Sequence, residues 1–226
     1  ARGDHTLGTR GDLRSAFTFS RIGRDEVVNG GDVASYRQRL WGFGIESEWK
    51  MGDRDATRFS LGVAFDGSDT PQSGDKPPLN GLSDFGFRAG ISSLIQDGLV
   101  LHANFSRRSR FPSLRELYSG ALGRFVPNPD LGAETLLGSE GGLTLGADDS
   151  SLQVVGFYQR LKNGIVRSSV VGIDGIPRFK RINHERVKSV GIEVLAVRTM
   201  GLATLSGDLT IQDVTGIDQK GLRVQL

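Results

Sequence analysis

The sequence predicts an all-β fold, an antiparallel transmembrane β-barrel wall, with about nine strands carried by this chain. Three observations predict it. Segment after segment alternates apolar and polar residues, so each strand has two different faces. The strands are long, about 9 to 14 residues, where soluble strands cluster near 5 to 6 and a tilted membrane-crossing strand needs about 9 to 11. The connections alternate in length, long after the first strand, short after the second, and so on, as in barrels with short turns on one side and long loops on the other. Hydrocarbon satisfies no backbone N–H or C=O, so only a closed sheet can cross it without helices. The strand charges fall on the polar parity: Arg14, Glu46, Glu48, Arg58, Asp84, Arg88, Arg108, Glu140, Glu193 and Asp208.

Composition agrees with this class. The chain has 226 residues, 32 of them Gly, and an apolar fraction of 37%. No run of 18 apolar residues exists, so no transmembrane helix is expected. The chain starts ARGDHTLGTR, with no Met and no signal peptide, which is expected of a mature N-terminus or a fragment. With no Cys, disulfides and thiolate metal sites are excluded. A net charge of +2, spread along the chain with clusters at 107–110 and 178–188, argues against a nucleic-acid partner.

In chain order, residues 12–20 set Leu13, Phe17 and Phe19 against Arg14, Thr18 and Ser20. A loop, RIGRDEVVNGGD, follows. Residues 33–49 form a long strand with Trp41, Phe43, Ile45 and Trp49 on one face and Glu46 and Glu48 on the other. Trp49 stands beside the short turn KMGDRDA, which suits an interfacial aromatic girdle and equally a core Trp. Residues 57–66 oppose Phe59, Leu61, Val63 and Phe65 to Arg58, Ser60, Gly62 and Asp66. Residues 67–83, rich in Pro and Gly, are expected to be a loop without a strand. Residues 84–95 place Phe85, Phe87, Ala89 and Ile91 together. Gln96-Asp97-Gly98 is expected to turn with positive φ at both central residues.

Next, Leu99, Leu101, Ala103 and Phe105 oppose His102, Asn104, Ser106 and Arg108. Residues 110–135 form a long loop with only a hint of helix, a length that is usually functional. LLGSEGGLTL then places Leu137, Leu143 and Leu145 opposite Glu140 and Thr144. Residues 151–166 form a seventh strand of ambiguous facing, and 167–178 a loop. In the eighth strand Val190, Ile192, Val194 and Ala196 oppose Ser189, Gly191 and Glu193. LATLSGDLTI closes the set, with Ala203, Leu205, Leu209 and Ile211 on one face.

Residues 105–120, FSRRSRFPSLRELYSG, resemble the barrel signature of TonB-dependent outer-membrane receptors, in which a strand ends in a Phe-x-x-Pro-Ser-Leu-x-Glu-Leu-Tyr loop. NPDLGAET, 128–135, is similar to the Asn-Pro-x-Leu-x-x-Glu-Thr element that follows it, and 154–166 and 181–194 resemble the next two strands. The resemblance covers roughly residues 99–195. It implies a 22-stranded barrel, of which residues 1–226 are one part with no second domain, and an N-terminal plug not present in this chain. It further implies a non-enzymatic receptor in the outer membrane of a Gram-negative bacterium. Its cargo would be a scarce nutrient, a ferric siderophore foremost, otherwise cobalamin, haem or a saccharide. TonB and its inner-membrane complex would energise it, touching a segment upstream of residue 1. A complete barrel of eight to ten strands, as an enzyme or passive pore, and a soluble β-rich module are the competing expectations. No Ser, His and carboxylate set suggests catalysis.

The candidate ligand-binding residues lie in loop 110–135 and on the inner wall: Arg108, Arg110, Arg115, Tyr118, Arg124, Phe125 and His102. Guanidinium forks suit anions and aromatic rings supply contact area. The blander reading anchors the loop on the rim, with its arginines meeting lipopolysaccharide phosphates and the greasy faces meeting outer-membrane lipid. His102 reads as a hydrogen-bonding wall residue, and no His between Phe111 and Leu131 supports haem. His5 and His184 lack metal-ligand spacing, and no cofactor or metal is expected. Arg2-Gly3-Asp4 and Arg10-Gly11-Asp12 repeat an adhesion tripeptide, and Asp66, Asp69 and Asp75 sit in an acidic stretch without a recognised Ca²⁺ spacing.

Overall fold

In a computed structural model the described residues are 1–27, 32–52, 56–79, 81–119, 124–172, 174–217 and 223–225. They form one sheet of twelve strands: β1 (Arg2–Leu7), β2 (Gly11–Val27), β3 (Val33–Met51), β4 (Thr57–Ser73), β5 (Leu82–Gln96), β6 (Leu99–Arg110), β7 (Phe125–Val126), β8 (Glu134–Ala147), β9 (Ser150–Val171), β10 (Pro177–Met200), β11 (Ala203–Ile217) and β12 (Arg223–Gln225). One short helix, α1 (Leu114–Tyr118), interrupts it. Neighbours in sequence are neighbours in space and antiparallel, except that β6 pairs β8 while β7 adds in parallel to β10. The sheet is not closed.

The side-chain parity settles which face meets what. Phe17, Phe43, Phe65 and Phe85 are direct cross-strand partners in a single row across β2–β5. These rings are 48–56% exposed, as are Val63 (58%), Val190 (52%), Ile192 (54%) and Ile211 (67%). The apolar faces do not pack on one another; they form the outer surface. The opposite face carries the polar parity. There Arg88 reaches over Gly62 to pair with Glu46 on the next strand but one, and Asn104 donates to Glu140. A sheet with oil on one side and polar groups on the other matches a barrel wall. Trp49 is 42% exposed on the outer face at the short-turn end, which rules out the core reading.

Several expected boundaries were too short. The segments taken as loops at 21–32, 67–83 and 167–178 are in large part strand, since β2 runs to Val27, β4 to Ser73, β9 to Val171, and β10 starts at Pro177. Asp66 and Asp69 therefore sit in β4. Above the apolar band both faces are wet, so hydropathy no longer alternates, yet the backbone ladder continues. Cross-strand charges line it: Arg37 donates to Asp25 at 2.8 Å, and Arg39 forks onto Asp69. The Asp97-Gly98 turn also differs. Gly98 has φ +77° but Asp97 is not in the positive region, and a register shift between Leu94 and Gln96 makes it a bulged turn.

Candidate functional site

Between β6 and β8 the described residues, 111–119 and 124–133, lie on the inner face. Pro112 and Ser113 start the turn. Ser113 caps α1 with its side chain on the Glu116 N–H while Glu116 reaches back to the Ser113 N–H, a reciprocal box that satisfies two orphan donors. Arg110 forks onto both Glu116 oxygens at 2.9 Å and also pairs with Glu134. Partial burial opposes ionisation of Glu116, but the hydrogen bonds from Arg110 and Ser113 overcome it and bring its carboxyl down to about 2.

The helix is pinned to β3 and β4. Gln38, on the parity of Glu46 and Glu48, donates to the Pro112 carbonyl at 2.8 Å and to Ser68 at 3.0 Å. The Tyr118 hydroxyl bonds Thr70 Oγ1 at 2.9 Å and accepts from the Leu79 N–H at 2.8 Å. Tyr36, Leu79, Leu114, Leu117, Tyr118 and Leu131 make the one buried cluster described in the chain, with Leu117 at 0% exposure. The fold's dry core thus lies between the loop and the inner wall, not inside the sheet.

Beyond α1 the chain reaches β10. Phe125 pairs with Phe179, with ring centroids 5.7 Å apart. Arg181 lies over Phe125 and Arg167 over Phe179, each 4.5 Å from the ring centroid. Arg181 also donates to the Arg115 carbonyl at 3.1 Å. Asn128 donates to the Arg181 carbonyl, and Asn183 bonds both backbone groups of Gly132. The segment is therefore a strap that ties β3 and β4 to β10, with β5, β6, β8 and β9 between them.

Of the seven sequence candidates, the strap gathers Arg115, Arg124 and Phe125 at the long-loop rim. Arg115 and Arg124 are exposed, and no side-chain partner is found for either among the described residues. Tyr118 corrects the sequence reading: it is 2% exposed, with its hydroxyl engaged by Thr70 and Leu79, so it anchors the strap. The Arg110 side chain stays half exposed while its guanidinium pairs with Glu116 and Glu134. Arg108 is exposed on the inner-wall parity. His102, opposite Ser92 and Gly142, sits roughly 25 Å down the strand from Arg110. No cluster of metal-ligating side chains occurs among the described residues. Sequence reasoning missed Arg167, Phe179 and Arg181; the alternating F-K-R-I-N run at 179–183 was the available signal.

A curved wall with an apolar outside, a polar inside and a structured inward loop defines an outer-membrane-type β-barrel. A family model for the TonB-dependent receptor-like β-barrel matches residues 1–224, and the chain belongs to that family. Its members are transport receptors, not enzymes, in the outer membrane of Gram-negative bacteria. No curated protein sequence matches the chain. Among solved structures, the FrpB iron transporter from Neisseria meningitidis superposes with a TM-score of 0.77 at 14% identity, over 98% of this chain and 37% of that one. The copper transporter OprC gives 0.76 at 15% identity, over 100% and 37%. The ferric enterobactin receptor PfeA from Pseudomonas aeruginosa, in complex with BCV-L6, gives 0.71 at 16% identity, over 95% and 37%. This chain thus spans little over a third of each.

Proposed function

We propose that residues 1–226 are a section of the barrel domain of an active-transport receptor, energised by TonB, that takes up a ferric siderophore. The observation that carries the reading is the rim built by the strap, where exposed Arg115 and Arg124 adjoin the Phe125–Phe179 pair and its two stacked guanidiniums. Guanidiniums recognise the anionic oxygens of a ferric chelate and the ring faces give flat contact area. Iron, copper and ferric enterobactin in the names of the similar structures support a metal complex as cargo. The wall supplies contacts and a conduit, with no bond made or broken.

The test uses the full-length receptor. Arg115→Ala/Arg124→Ala removes two charges without touching the buried cluster. Affinity for a ferric siderophore panel, read by fluorescence quenching, is expected to fall by at least tenfold, since hydrogen bonds to charged groups are each worth about 1.5–3 kcal/mol. His102→Ala is expected to change nothing. Wild-type affinity in the double variant, across every siderophore that binds, overturns the role of the rim.

A further inference from the structure

The β9–β10 hairpin loses its neighbours and its own register at one level of the wall. β8 pairs with β9 only as far as Thr135 and Lys162. β11, as far as it is described, pairs with β10 no higher than Arg186 and Ile217. At that same level the hairpin itself slips twice. Leu161 faces Val187 below and Ile165 faces Asn183 above, but the residues between, 162–164 and 184–186, hold a single pair, Gly164 with Glu185. Asn163 there has φ +55°, and among the described residues no other non-glycine has a positive φ. Arg160 Nε and His184 Nδ1, buried without a hydrogen-bond partner, lie at this level too. A break in three ladders at one height is a joint, and it sets off residues 164–171 and 177–183 as an arm paired within itself.

The arm carries Arg167, Phe179 and Arg181, and side chains hold it to the strap. The Glu134 carboxylate accepts from the Ile165 N–H at 2.6 Å, where β8 no longer runs beside β9, and its other oxygen is held by Arg110. Asn183 accepts from the Gly132 N–H at 2.7 Å and donates to the carbonyls of Gly132 and Asn163 at 3.0 and 2.9 Å, so it spans strap and joint together. β7 adds two backbone pairs, Phe125 with Phe179 and Val126 with Lys180. A hydrogen bond to a charged group is the strongest of these contacts, and the Glu134 side chain is only 14% exposed, so water competes little for it.

We infer that Glu134 and Asn183 are positioning residues: they latch the jointed arm to the strap and so fix Phe179 and Arg181 against Phe125 and Arg115. Without them the arm keeps its joint, β7 and the Asn128 bond to the Arg181 carbonyl. The two halves of the rim, Arg115 and Phe125 on the strap and Phe179 and Arg181 on the arm, then no longer share one frame. The latch stands without reference to cargo; its consequence for binding rests on the reading of the rim given above.

Hydrogen exchange, read by mass spectrometry on the full-length receptor in detergent, tests it. In Glu134→Ala the amides of 164–171 and 177–183 are expected to exchange about ten to a hundred times faster, because a hydrogen bond to a charged group is lost and the arm opens locally. The amides of 150–160 and 187–197, below the joint, are expected to keep wild-type rates. Glu134→Gln keeps an oxygen for the Ile165 N–H and is expected to recover most of the protection. Should Glu134→Ala fail to fold, as read by a heat-modifiable gel shift, Asn183→Ala releases the same arm from Gly132 and is expected to give the same pattern. Wild-type exchange in the arm of a folded variant, or an acceleration that spreads equally below the joint, overturns the inference. Ferric siderophore affinity is expected to fall in Glu134→Ala; a freed arm with wild-type affinity leaves the latch standing and refutes the rim's role in cargo binding.

Discussion

Leu117→Ala isolates what the strap's own core contributes. Leu117 has no exposed surface and is enclosed by Tyr36, Leu114, Tyr118 and Leu131, which leave little room to collapse. Truncating a buried Leu to Ala costs about 2–5 kcal/mol. A central value of ~3 kcal/mol raises the population of the undocked strap about 150-fold, because each 1.4 kcal/mol is a factor of ten. No strand ladder includes Leu117, so the loss falls on docking and not on the wall. In the full-length receptor in detergent, trypsin is expected to cut after Arg115 about two orders of magnitude faster, because cleavage tracks the open population when reclosing is fast. The melting transition of the barrel is expected to stay in place. A cleavage rate within twofold of wild type, or a strap that leaves only when the whole barrel melts, refutes the separation of strap and wall.

Two further outcomes are expected. Glu116 has a folded carboxyl near 2 against an ordinary value near 4.5, so its stabilisation is fully present above about pH 4.5 and is lost as the pH falls through about 2; a spin label at position 124 is expected to remain immobile down to about pH 4 and become mobile only as pH 2 is approached, and a full transition centred near pH 4.5 contradicts the Arg110 and Ser113 contacts. Gly67→Ala places a methyl where the Trp41 ring now lies, 2.1 Å from the ideal Cβ position, so the ring must leave Phe65, its neighbour at 5.4 Å; a shift in tryptophan emission and a loss of about 1–3 kcal/mol are expected, and an unchanged spectrum contradicts the packing.

The wall was readable from sequence because two solvents impose a period of two. Phe17, Phe43, Phe65 and Phe85 each announce the same face, and Glu46 and Arg88 announce the other. The strand ends were not readable, because beyond the apolar band both faces meet water and the ladder is lined by pairs such as Arg37 with Asp25 that follow no hydropathy pattern. The long loop was half readable. Arg115 and Arg124 are exposed in it, as a surface loop leads one to expect, and Phe125 is half-buried. Tyr118 looked like surface because its partners, Thr70 and Leu79, lie far off in the chain, and nothing local foretells them. Phe179 and Arg181 were missed for the same reason: β7 joins β10 across a sequence gap of more than fifty residues.

A sheet of ladders is stiff along each strand and softer across them, because every neighbouring pair can pivot. The described parts of the segment between β6 and β8 are bolted at Gln38 and Thr70 on one side and at Phe179 and Asn183 on the other. They are joined to each other where the Asn128 N–H donates to the Leu117 carbonyl and Arg181 donates to that of Arg115. Flattening or tightening the arc from β4 to β10 must strain that brace. A load applied at Arg115 or Arg124 is therefore borne by both flanks of the arc together, while the staves beneath remain free to flex.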